Sequence, residues 1–213
     1  PGVNNTKKET RQEEALAHAW VGDFFMPERS TNGMNTNLRK LVFSAMFLAL
    51  CIVLPFLTMQ IPEIGSMLSP MHFPVLLCGF VCGPVCGAVV GLIAPILRSL
   101  LFGMPPLFPT ATAMAMEMLF YGGMTGLMHL IMPRRPWALW VSLAISMLVG
   151  RVMWGFTMFL LMAAKHSHFT MTAFLSGAFI KAWPGIVCQL ALIPPLVMAL
   201  DKAGLMKEGK KFR

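Results

Sequence analysis

Charge is scarce in this chain. Asp, Glu, Lys and Arg make up only 12% of its 213 residues, against 56% hydrophobic residues. Soluble domains carry about 25% charged residues, so a soluble domain is excluded. The apolar runs also lack the alternation of apolar and polar residues that the strands of an outer-membrane barrel need. What is left is a set of apolar helices in a bilayer, in keeping with a mean hydropathy of +0.68.

Other absences narrow the function. The net charge of +8 comes without a basic face interleaved with aromatics, so nucleic acid is not expected as a partner. The five cysteines are odd in number and lie in or beside apolar segments. Cys78, Cys82 and Cys86 are spaced by four, but Gly83-Pro84 interrupts the face they would share. No histidine or carboxylate joins them at ligand spacing, so they read as small membrane residues and no metal is expected. There is no Walker A motif, nucleophile elbow, HExxH or GxGxxG. The chain is therefore not expected to be an enzyme or to hydrolyse ATP, and no cofactor is expected on it. It also lacks the inverted repeat of spans that many secondary transporters show.

Residues 1–33 are polar and of mixed charge, unlike the rest. They read as a tag, an upstream extension or a disordered lead, and Met34 opens the membrane-embedded domain of residues 34–213. Spans are expected at 40–58, 72–82, 84–102, 110–131, 137–163 and 173–200, the second too short to cross a bilayer upright. Gly83-Pro84 marks a tight turn between the second and third. Arg39, Lys40, Arg134, Arg135 and the basic tail gather on one side. That gives an all-α membrane protein, a six-transmembrane-helix bundle with both termini cytoplasmic. The twenty methionines suit helices packed against lipid and each other, or an adaptable binding surface.

Four ionisable residues fall inside these spans: Arg98, Glu117, Arg151 and Lys181. Counted along their helices, they lie roughly four, seven, twelve and eight residues from the outer end, on four different spans. A charge at the centre of a membrane helix costs about 2.5–3.5 kcal/mol on insertion scales, so such residues face a cavity or pair with one another. Three cations and one anion describe an outward-facing, net positive site for a small anionic solute. In the alternative reading, Glu117 pairs with one cation while Arg98 and Lys181 snorkel to the outer interface. His72, Trp154 and Trp183 neighbour these charges and join the substrate-binding candidates; ordinary packing is the competing role for each. His166 and His168 in "KHSHFT" have no carboxylate partner for a metal. Small residues recur every four positions at Gly83, Gly87 and Gly91, at Gly122 and Gly126, and at Ala45 and Ala49, allowing close helix approach.

Two stretches carry a resemblance. The first is Ala45-Met-Phe-Leu-Ala49, with the "ALxxxLP" texture that follows it. The second is "FPVLLCGFVCGPVCGAVVGLIAPILRSLLFGMPPLFP", Phe73 to Pro109. With six spans over about 180 residues, the chain resembles the substrate-binding S components of energy-coupling factor (ECF) vitamin transporters, and the second stretch resembles the pantothenate branch. The resemblance implies a prokaryotic, multi-pass protein of the cell membrane that captures a vitamin or precursor from outside. It implies partners: a transmembrane coupling subunit docked on Ala45 and Ala49, and two ATPase subunits that use the ATP. It also implies toppling of the whole bundle to deliver the solute inward. Pantothenate fits a net positive site; folates and a cobalamin precursor are alternatives. Two further classes stand beside this one: a self-sufficient small permease, and a membrane enzyme using Glu117 with His166 or His168.

Overall fold

The computed structural model describes residues 36–57, 69–132, 135–164 and 183–203. The chain divides into two units, Pro1–Leu41 and Val42–Arg213. Of the first, only the opening of one helix is described, and the second holds everything discussed below. Among the described residues there are six α-helices: α1 (Thr36–Leu57), α2 (His72–Cys82), α3 (Pro84–Phe102), α4 (Thr112–Ile131), α5 (Pro136–Ala164) and α6 (Trp183–Lys202). A π-helical turn, Leu107–Ala111, leads into α4.

Local sequence sets these limits. Ser69 takes a positive φ of 46° and accepts the first hydrogen bond of α2, from the His72 N–H at 3.0 Å. Gly83 ends α2 with φ 95°, a conformation that a side chain would oppose. Pro84 then opens α3 at a position where its missing N–H costs nothing. The expected turn is therefore present, and α2 and α3 cover the residues expected of them. Residues 173–182 of the expected sixth span lie outside the described residues.

Among the described residues, four helices are long and apolar enough to cross a membrane: α1, α3, α5 and α6. At 11 residues, α2 rises only about 17 Å, short of the roughly 30 Å of hydrocarbon. The 20 residues of α4 have the length, but Glu117, Tyr121 and His129 dilute its apolarity. Its position explains the tolerance: α4 packs against α2, α3 and α5, and helices shielded from lipid can carry polar groups.

The contact between α3 and α4 is made by main chain. A β-carbon on Gly87 would run into the Gly122 carbonyl, one on Gly122 into the Gly87 carbonyl, and one on Gly91 into that of Met118. The small-residue spacing thus permits backbone-to-backbone contact, as in other tightly packed membrane helices. The α1 helix is held more by side chains. Phe47 and Cys51 reach the apolar core, the Cys51 thiol points at the Met71 carbonyl at 3.6 Å, and Cys78 reaches the Ser44 hydroxyl at 4.0 Å. Ala45 and Ala49 lie on its exposed side, with Val42, Met46, Val53 and Phe56.

Candidate functional site

Three helices bring charge together at the end of the bundle where α2 begins. His72 is the first residue of α2, Glu117 lies in the second turn of α4, and Arg151 is near the middle of α5. Arg151 Nη1 stands 3.1 Å from Glu117 Oε1, and His72 Nε2 lies 3.6 Å from Oε2. Glu117 is 1% exposed and Arg151 7%. So complete a burial of charge is costly unless the groups are paired and hydrogen-bonded. Here the pairing is present and the hydrogen bonding is incomplete.

The unfinished bonds are specific. Glu117 Oε1 faces the Arg151 charge but makes no aligned hydrogen bond, and neither do Arg151 Nε, the His72 ring nitrogens or the Tyr121 hydroxyl. Tyr121 sits one turn after Glu117 on the same face of α4. Its hydroxyl is within electrostatic reach of both Glu117 and Arg151, and its ring packs edge-on to His72 at 5.3 Å. Gly150 makes room for it, because a β-carbon there would meet the edge of the tyrosine ring. On α6, Gln189 is buried, and its side-chain oxygen has no partner either. Buried polar groups are nearly always satisfied, so a cluster without aligned bonds makes this the candidate site.

Of the residues expected at a site, His72, Glu117 and Arg151 come together. Arg98 is placed differently. Its guanidinium donates to the Ile52 carbonyl of α1 at 2.9 Å and lies over the rings of Phe56 and Phe102, at 5.3 and 5.7 Å. Arg98 thus ties α3 to α1. Trp154 is half-buried on α5 and Trp183, at 61% exposed, faces outward from the start of α6. Lys181, His166 and His168 lie outside the described residues, as do residues 1–33.

Tyr121 and Gln189 escaped the sequence reading. An aromatic in an apolar run looks like core, and a lone amide carries no charge to draw notice. The available signal for Tyr121 was its spacing of four from Glu117, which puts both on one helix face.

The comparison with protein families decides what kind of bundle this is. The model of the ECF transporter substrate-specific component matches residues 39–197. The chain belongs to that family. No curated protein and no solved structure gives a significant match. The S component identified in this way is the substrate-specific part of a transport system. Its matched region runs from α1 into α6 and contains His72, Glu117, Tyr121, Arg151 and Gln189, so the buried polar cluster lies wholly within the family's domain.

Proposed function

We propose that this S component captures a small polar solute of vitamin or vitamin-precursor type from outside, at the cluster of His72, Glu117, Tyr121 and Arg151. Docking through Ala45 and Ala49 on a transmembrane coupling subunit, driven by two ATPases, then delivers the solute inward. The carrying observation is the buried ion pair of Glu117 and Arg151, set on two helices among polar atoms that the protein leaves unbonded. A purely structural pair would be expected to complete its hydrogen bonds within the chain. The exposed small face of α1 supports the docking half of the reading.

Pantothenate, the anion that the resemblance of Phe73–Pro109 points to, would bring its carboxylate to Arg151 and compete there with Glu117. Arg98, which would have supplied a second cation, is engaged with α1.

The test is reconstitution. In vesicles, the chain alone should bind its solute without concentrating it, and uptake should need the coupling subunit, the ATPases and ATP. Concentrative uptake by the chain alone would instead identify a self-sufficient permease. Arg151→Ala should abolish binding, read by calorimetry on the purified chain. Unchanged affinity in a folded Arg151→Ala protein would remove the cluster from the binding site.

A further inference from the structure

Resting on the reading of this cluster as the solute site, we infer that the solute it takes carries no net charge and presents a hydrogen-bond donor and acceptor side by side. An amide, lactam or imide edge is the chemistry that fits.

The argument begins with charge. Arg151 and Glu117 cancel each other at 3.1 Å. His72 stands 3.6 Å from the other carboxylate oxygen, outside the Arg151–Glu117 contact. Arg98 is committed to the Ile52 carbonyl and two aromatic rings. The ion pair at the centre of the cluster is therefore neutral as built. An anionic solute would have to draw Arg151 away from Glu117 and leave a buried carboxylate behind; a cationic one would strand the guanidinium. Breaking a buried pair from one side is strongly unfavourable. A neutral solute leaves the pair intact.

Hydrogen-bonding capacity then selects among neutral solutes. Glu117 Oε1 is an acceptor, and Arg151 Nε–H and the Tyr121 hydroxyl are donors, none of them with an aligned bond. An ionised carboxylate accepts only, and a guanidinium donates only. One face of the solute must therefore offer both kinds of group within a few ångströms. Arg151 meets Glu117 through Nη1, leaving Nε–H outside the pair. A planar amide edge, with N–H toward Oε1 and C=O toward Nε–H or the tyrosine hydroxyl, completes the bonds the protein leaves open. Because these groups are desolvated, a solute lacking one of them would leave a partner unpaired and be discriminated against.

The experiment uses the full chain in nanodiscs and measures affinity by calorimetry. Its probes are water-soluble vitamins and nucleobases, with two matched pairs differing by one charge: pantothenol with pantothenate, and nicotinamide with nicotinate. Uncharged, amide-bearing members should bind at least about tenfold tighter than carboxylate-bearing ones. Glu117→Gln leaves Arg151 uncompensated and should reverse that order in favour of carboxylates. The matched pairs on the native chain provide the readout if the variant does not fold. Tighter binding of carboxylates by the native chain, or an order unmoved in a folded Glu117→Gln protein, would overturn the inference while leaving the solute site standing. Binding of no probe at all would overturn the site itself, and the inference with it.

Discussion

At the scale of single residues, the cluster spends stability on readiness. Tyr121 is fully buried, yet its hydroxyl makes no aligned hydrogen bond. Removing a hydroxyl that is desolvated and unbonded should not weaken the fold. Tyr121→Phe should therefore melt at or slightly above the native temperature, while losing about tenfold in solute affinity, near the worth of one hydrogen bond to a buried partner. Thermal unfolding and calorimetry on the same sample check both halves. A clear drop in melting temperature would show that the hydroxyl serves the fold. Arg98 should behave in the opposite sense. Its bond to the Ile52 carbonyl is charge-assisted and sits under two rings, so Arg98→Ala should cost about 1.5–3 kcal/mol of stability. Solute affinity should stay within about twofold, since the effects of distant sites add independently.

Between elements, the main-chain contact of α3 with α4 is the least forgiving part of the bundle. A methyl at Gly122 would meet the Gly87 carbonyl rather than a side chain that can rotate away. Gly122→Ala should destabilise by about 2 kcal/mol or more through overpacking, measured as a lower melting temperature in detergent. Insensitivity to the substitution would mean the helices have room to separate. This element level is also where the sequence was most legible. Gly83-Pro84 fixed the junction of α2 and α3, because a glycine at positive φ followed by a proline at the first helical position can hardly be read otherwise. The site was legible in its charges and opaque in its neutral groups. Burial cost made Glu117 and Arg151 conspicuous, and His72 stood out as a ring at a helix start. Depth along a helix, however, does not give the direction of a side chain around it. That is why Arg98, at a suitable depth, was grouped with residues from which it turns away toward α1. Tyr121 could be told from core packing only by the company it keeps across helices.

At the scale of the whole molecule, the proposed binding and docking residues occupy different surfaces. The polar cluster draws on α2, α4 and α5, whereas Ala45 and Ala49 lie on the exposed side of α1. Ala45→Leu with Ala49→Leu should therefore leave solute affinity unchanged and abolish ATP-driven uptake in vesicles holding the coupling subunit and ATPases, because added bulk prevents close helix approach. Full uptake by the double variant would remove α1 from the docking surface.

The same molecule supplies its own observer. The chain contains a single tyrosine, and it is Tyr121, buried beside the ion pair. Biosynthetic incorporation of 3-fluorotyrosine would thus place one fluorine nucleus in the whole protein, at the centre of the cluster, with no engineered label. A single ¹⁹F resonance would report occupancy of the site directly, and its exchange broadening during titration would give the lifetime of the bound state.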